Sequence, residues 1–248
     1  MIDSVLALHR EWGSLRKTAD AFNRIHAHNG WTVCKSTVHH WLHQHTKEAR
    51  AVRHRTRNRV PLFVPPNHCW GVDGTGKRDE AGTAHFILGI VDHGTRRLLK
   101  LAVLAPATSQ TVLAQLHEAI GLFGKPDMIR TDNGSVFTSE AFCADLAAAG
   151  IRHKRSDFAK PWQNARIERL FGTLKEKLNQ ILVADSVALG ARLDEFSFWY
   201  NVVRPNQHLF GLTPMEAWRG VDPYRSAPKA VRRYSAWNGV LHGVLIVH

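Results

Sequence analysis

The chain has 248 residues, of which 44% are hydrophobic and 22% charged, enough for one medium-sized core plus a smaller unit and too apolar for a disordered chain. Lys and Arg number 33 against 21 Asp and Glu, a formal charge of +12 that points to a polyanionic partner, most commonly nucleic acid. Three scattered cysteines (Cys34, Cys69 and Cys143) give neither a disulfide framework nor a Cys-x-x-Cys zinc pattern, and no apolar run reaches the ~20 residues of a membrane helix. No signal-peptide pattern opens the sequence, so the expected setting is a reducing cytoplasm with no membrane partner.

Residues 1–45 read as a small all-helical domain. Val5, Leu6 and Leu8 recur at helical spacing, and Ser14 can N-cap a helix over 15–25 that buries Leu15, Ala19, Phe22 and Ile25. Ser36 can cap another over 37–45, with Val38, Trp41 and Leu42 inward. The pair resembles a helix-turn-helix with a connection, through Asn29-Gly30, longer than the usual turn. In that reading Lys35, Thr37, His39, His40 and His43 face the major groove of DNA. The alternative is a helical packing module without base contacts. The histidines here have only Cys34 nearby, so they read as a polar helix face rather than a zinc site.

Residues 46–66 change character. Lys47, Arg50, Arg53, Arg55, Arg57 and Arg59 stand against Glu48, and Pro61, Pro65 and Pro66 stiffen the exit. This is the pattern of a linker whose basic arm, Arg53, Arg55 and Arg57 foremost, tracks phosphates. Engagement of about six phosphates would lower affinity on the order of a thousandfold between ~50 and ~200 mM salt.

From Asn67 to about residue 220 the pattern is α/β. Apolar runs over 69–73, 84–91 and 98–104, with Gly74, Gly76 and Gly82 in the first turn, predict an antiparallel meander. Thr108 caps a helix through Val112, Leu116 and Ile120, and 128–131 make a fourth strand. A helix from Ser139 runs to Gly150, and 151–153 suggest a fifth strand. Ile167, Leu170, Phe171, Leu174, Leu178, Ile181 and Leu182 then share one side of a helix, with Glu168 flanking it. An aromatic-rich helix over 191–203 and a short one after Pro214 follow. Residues 221–248 read as a short extension with a β-hairpin turning near Asn238-Gly239.

Three acids stand out in this order. Asp73 lies in a strand, with Asp92 on the next strand as its rival, Asp132 ends a strand before Asn133-Gly134, and Glu168 lies on a helix with thirty-five residues between it and Asp132. Carboxylates brought to one sheet edge repel one another and call for a divalent cation. Asp73, Asp132 and Glu168 at this spacing resemble the DDE triad of retroviral integrases and insertion-sequence transposases. The run from Tyr200-Asn201 through Arg204-Pro205 to Leu212-Thr213-Pro214 is similar to the motif that closes that core in bacterial transposases.

The resemblance implies a ribonuclease-H-like integrase core, a mixed five-stranded sheet with helices. It implies DNA end cleavage and strand transfer, with Asp73, Asp132 and Glu168 as catalytic acids holding two Mg²⁺ or Mn²⁺ ions. DNA ends and target DNA become the expected substrates, a homo-multimer the expected assembly, and an accessory transposition protein a possible partner. Asn133, Gly134 and Asn164 are expected to shape the site, and Lys160, Arg166 and Lys175 to contact DNA. The alternatives are a non-catalytic DNA-binding regulator of transposition and a ribonuclease-H-like nuclease.

Overall fold

Three apolar stripes in the first 45 residues are enough for a small helical core. In a computed structural model, which describes residues 1–12, 14–45, 64–156, 164–221 and 229–247 (without side chains at 11, 12, 17 and 24), the chain divides into two units, 1–63 and 64–248. In the first, α1 (Ile2–Trp12), α2 (Leu15–His26) and α3 (Lys35–Gln44) enclose Val5, Ala19, Phe22, Val33 and Val38. The long connection before α3 is pinned by one side chain: Asn23 donates to the Val33 carbonyl at 2.9 Å and accepts from its N–H at 2.7 Å. Gly30, at φ 78, closes the preceding 3₁₀ turn.

Several local expectations for this unit change. Ser14 occupies the cap position of α2 with extended backbone, but its side chain makes no capping bond. Ile25 is 49% exposed, because it falls off the Ala19–Phe22 stripe. Helix α3 starts at Lys35, and Cys34 holds the cap position; the thiol contacts the hydroxyls of Ser36 and Thr37 at 3.0 and 3.1 Å. Ser36 is therefore already inside the helix. The basic stretch at 46–63 lies outside the described residues.

The second unit is built on one mixed sheet. Strands β1 (Cys69–Arg78), β2 (Ala84–Asp92) and β3 (Leu98–Leu104) form the antiparallel meander, and β4 (Met128–Thr131) and β5 (Arg152–Arg155) add on in parallel. The order across the sheet is β3-β2-β1-β4-β5. Alternation sorts the strand residues onto two faces. Trp70, Val72, Leu88 and Ile90 pack with Val112 and Leu116 of α4 (Ser109–Phe123) and with Phe142 and Leu146 of α6 (Glu140–Ala148); the one-turn α5 (Ser135–Thr138) contributes Phe137. On the other face Ile87, Val91, Leu98 and Leu101 meet Ile167, Leu170, Phe171 and Leu174 of α7 (Ala165–Leu178) and Phe196 of α8 (Ser186–Phe198).

Capping chemistry sets several of these helix starts. Thr108 makes a capping box with Thr111, Ser139 accepts from the Phe142 N–H, and Thr213 pairs with Glu216 to start α9 (Pro214–Arg219). Strand β1 runs on through Gly74 and Gly76, which the sequence pattern places in a turn. The Phe86 ring lies over Gly74, where a Cβ would sit 2.2 Å from its Cζ, so this glycine is a packing residue of the strand. Strand β5 begins one residue later than expected, at Arg152. Leu182 is 81% exposed because α7 already ends at Leu178.

The final hairpin, β6 (Ala230–Ala236) with β7 (Leu241–Val247), belongs to the same core. Trp237 and Leu241 are buried among Phe196, Trp199, Tyr200 and Val203, and the Trp199 indole N–H donates to the His242 carbonyl at 2.9 Å.

Helix α7 lies directly on the meander at Gly89. A Cβ there would meet Cζ and Cε1 of Phe171 at 2.8 and 2.9 Å, with Ile167 Cδ1 at 3.6 Å. Gly89→Val should therefore destabilise the fold by about 1–3 kcal/mol, read from urea unfolding, through overpacking of a full interface. Gly172→Ala, on the same helix with nothing within 4 Å of the new methyl, should instead stabilise it by up to ~1 kcal/mol.

Candidate active site

The register of the sheet brings the first two acids close. Strands β1 and β4 pair in parallel as Cys69 with Met128, Trp70 with Ile129 and Gly71 with Arg130. Asp132 follows directly on the end of β4 at Thr131, and Asp73 lies two residues past the last β1–β4 pair, close enough for the Asp132 charge to act on it. Asp73 also lies opposite Gly89 of β2, the residue covered by Phe171. Directly opposed residues share a face, so Asp73 is on the side of the sheet that α7 covers. Glu168, in the first turn of α7 and exposed, comes from that helix, where the positive N-terminal end favours an acid.

Electrostatics link the three. Burial, foremost, and the charges of Asp132 and Glu168 raise the Asp73 carboxyl to about 6, opposed by the Gly74 N–H and by Lys175. Each aspartate is oriented by backbone. Asp73 Oδ1 accepts from the Gly74 N–H at 2.7 Å, and Asp132 Oδ1 accepts from the Gly134 N–H at 2.9 Å. A Cβ on Gly134 would lie 3.1 Å from that same Oδ1, so glycine lets the turn close on the carboxylate. Asn133 donates to the Ser156 carbonyl at 2.9 Å and ties this turn to the end of β5. Thr131, fully buried, donates to the Asp132 carbonyl at 2.8 Å and contacts His153 Nε2 at 2.9 Å.

The rival acid is accounted for structurally. Asp92 is fully buried, and its oxygens accept from the N–H and hydroxyl of Thr95 and the N–H of Asn67, at 2.7, 2.8 and 3.0 Å. It locks the β2–β3 turn. Asn164 is 3% exposed, caps α7 by position without a capping bond, and neither of its amide atoms has a hydrogen-bond partner. Among the described residues it is a buried amide with both atoms unpartnered, four residues before Glu168.

The expected DNA contacts scatter. Lys175 is exposed, two turns beyond Glu168, and acts on Asp73. Arg166 is half-buried and lies in the field of Cys69, Asp92 and Arg130 rather than of the three acids. In the first unit Lys35, His39, His40 and His43 are exposed on α3, while Thr37 is half-buried and turned to the Cys34 thiol. Arg53, Arg55, Arg57 and Lys160 lie outside the described residues. Gly89, which seats α7, escaped the sequence reading, although a glycine inside an otherwise apolar strand run is a usable signal for close backbone approach.

The donor set suits a hard divalent cation: three carboxylates, one of them disfavoured as an anion by burial and by its two neighbours. Among the described residues, however, no three His, Cys, Asp or Glu side chains stand as close together as the ligands of a metal ion do. The acids share a field without forming a closed shell of ligands. No described helix is long and apolar enough to cross a membrane.

Two Integrase core domain family models match, over residues 64–161 and 149–214, and so take in the whole sheet, all three acids and the closing motif. An uncharacterised 39.2 kDa protein of insertion element IS476 from Xanthomonas euvesicatoria is 32% identical over 166 residues, 64% of this chain and 46% of that protein. An uncharacterised 31.7 kDa protein of insertion element IS407 from Burkholderia multivorans is 29% identical over 161 residues, 64% and 58%. The chain thus spans about half the length of the curated relatives it matches.

Among solved structures, the catalytic core of the HTLV-2 integrase in complex with magnesium aligns with a TM-score of 0.51 at 23% identity, over 63% of this chain and 99% of that one. A chain of the simian T-cell lymphotropic virus intasome in complex with a PP2A regulatory subunit aligns at 0.56 and 20%, over 89% and 85%. These likenesses show the fold, a ribonuclease-H-like core. With the family models and the insertion-element relatives, they place the chain in the DDE transposase and retroviral integrase superfamily.

Proposed function

We propose that the chain is a DNA strand transferase that cuts DNA at an element's ends and joins them to target DNA. The observation that carries this reading is the shared electrostatic field of Asp73 in the central strand, Asp132 just past the end of β4 and Glu168 of α7. In the reaction, a water oxygen bonds to the phosphorus at the element's end as the P–O3′ bond breaks, and the 3′-oxygen takes up a proton. That 3′-hydroxyl then bonds to a target phosphorus while one target P–O bond breaks. The first step is a hydrolysis and runs downhill; the second makes one phosphodiester for the one it breaks, the 3′-hydroxyl proton passing to the leaving target oxygen, so no outside energy source is needed.

Asp73, Asp132 and Glu168 would hold two Mg²⁺ or Mn²⁺ ions, which supply Lewis-acid activation of the attacking oxygen and charge neutralisation at phosphorus. The chain's own part is placement. The Gly74 and Gly134 N–H groups fix one oxygen of each aspartate, which leaves the second oxygen of each for an ion. Lys175 supplies a positive charge beside the acids for a substrate phosphate. The orphaned Asn164 amide offers both a donor and an acceptor to the DNA end. Helix α3 of the first unit, with Lys35, His39, His40 and His43, would select the end sequence, and the arginines at 53, 55 and 57 would track the intervening backbone. Two ends must be held together, so the working form is a homo-multimer.

The test is joining of labelled duplexes that carry the inverted repeats flanking the coding region, with and without Mg²⁺. The expected result is metal-dependent joined product that Asp132→Ala abolishes. Activity retained in Asp132→Ala sinks the assignment; DNA binding without joining in the unaltered chain favours a regulator, and cutting without joining a nuclease.

A further inference from the structure

Away from the three acids, one region gathers cations without acids to match. Arg96, in the β2–β3 turn, is half-buried, adopts the left-handed conformation at φ 62, and donates to the His93 carbonyl. Arg166 and Arg169 are three apart on α7 and share one side of it, while Glu168 lies roughly 200° around the helix from Arg166. Arg169 Nη1 is 3.3 Å from His208 Nε2, an approach that requires a neutral imidazole as acceptor. Arg204 closes the group from the segment after α8, its guanidinium 5.5 Å from the ring centre of Tyr200 and 6.0 Å from that of Trp199.

Arg96, Arg166, Arg169 and His208 act on one another, and Arg204 joins them at Tyr200, on which Arg204, Arg96 and Arg169 all act. Arg166 and Arg169 both act on Arg96, which burial, first, holds down to about 10, and Arg169, Arg96 and Arg166 help burial keep His208 below its ordinary value. Among the described residues, none of the four arginines forms an ion pair with a carboxylate. The acid within range, Asp92, is buried with its oxygens already bonded. Guanidinium groups collected in a half-buried place without counter-ions are stabilised by an oxyanion, and their planar forks match phosphate.

We propose that Arg96, Arg166, Arg169, Arg204 and His208 form a second DNA site, which grips a phosphodiester segment on the side of α7 turned away from Glu168. Phe210 favours DNA over free phosphate as the occupant. It ends the 3₁₀ turn that carries His208, in the left-handed conformation at φ 58, and is 89% exposed. A bulky residue is strained there, and an exposed aromatic two residues from His208 offers a face on which a nucleotide can stack. This inference rests on the DNA-joining reading above and is tested by binding, so that the two can fail separately.

The experiment is fluorescence anisotropy of a labelled duplex with the full chain silenced by Asp132→Asn, over a series of NaCl concentrations. Arg169→Gln with Arg204→Gln should weaken binding roughly tenfold and lower the salt slope by about 2, and Arg169→Gln alone, at an exposed position, by about 1. Arg169→Lys should restore the slope that Arg169→Gln loses, and Phe210→Ala should weaken binding with the slope unchanged. Affinity and slope equal to the parent's in Arg169→Gln and in the double variant would overturn the second site and leave the joining reading standing. So would protection from thermal unfolding by millimolar inorganic phosphate that the double variant loses while its DNA binding is intact. A parent chain that binds no duplex overturns both.

Discussion

Asp73→Asn is expected to lower Mg²⁺-dependent strand transfer by about a thousandfold or more, the several kcal/mol of transition-state stabilisation that a metal site supplies. The fold should tolerate it, because the Gly74 N–H that donates to Asp73 Oδ1 can donate to an asparagine Oδ1 as readily. In Mg²⁺-free buffer the variant should be the more stable protein at neutral pH. The Asp73 carboxyl titrates at about 6 in the folded chain, raised by burial and then by Asp132 and Glu168, against ~3.9 when unfolded. The folded state therefore holds its proton to higher pH than the unfolded one. This contribution to stability is full below about pH 4 and is lost as pH rises to about 6. Partial exposure reduces its size to at most about 2 kcal/mol.

Asn carries no such dependence. Thermal melts of the two proteins should diverge from pH 4 to pH 7, with Asp73→Asn the higher at pH 7. Added Mg²⁺ should raise the melting temperature of the unaltered chain and have a much smaller effect on the variant. Full strand transfer in Asp73→Asn would remove residue 73 from the machinery.

Each candidate acid sits at a break in a pattern: Asp132 ends an apolar run before Asn-Gly, and Glu168 flanks an amphipathic stripe without joining it. Those breaks alone do not single the acids out; the resemblance to the DDE triad, with its spacing and closing motif, did. The sheet was legible in the sequence, since its strands are runs of apolar residues between turn formers. The sequence pattern did not show where β1 ends, because Gly74 reads as a turn until the Phe86 ring is placed over it. Nor did it separate Asp73 from Asp92, which differ only in their partners: one faces Asp132 and Glu168, the other is spent on Asn67 and Thr95. The arginine cluster is the strongest case. Residues 96, 166, 169, 204 and 208 come from four separate segments, and no periodicity in one chain can show that topology makes them neighbours.

Asn201→Leu is expected to destabilise the second unit by roughly 2–4 kcal/mol although leucine keeps asparagine's branching and number of side-chain heavy atoms. β3 is the edge strand of the sheet, so beyond β2 nothing in the ladder pairs with it. Asn201 supplies a partner. Its Oδ1 accepts from the Leu98 N–H at 2.9 Å and its Nδ2 donates to the Leu98 carbonyl at 2.8 Å, so one amide completes a strand-like pair where the edge is buried. The wider π-helical turn over Trp199–Val203 makes this possible by turning Trp199, Tyr200, Asn201 and Val203 all inward.

Leucine leaves both Leu98 groups buried without partners, at about 1–3 kcal/mol each. Asn201→Asp keeps an acceptor for the N–H but sets a carboxylate against the Leu98 carbonyl, and should be destabilising by a similar amount at neutral pH and by less at low pH, where protonation restores a donor. Urea unfolding at pH 7 and pH 4 separates the two effects. An Asn201→Leu chain within 0.5 kcal/mol of the unaltered one would mean that the Tyr200-Asn201 motif serves something other than closing the edge of the sheet.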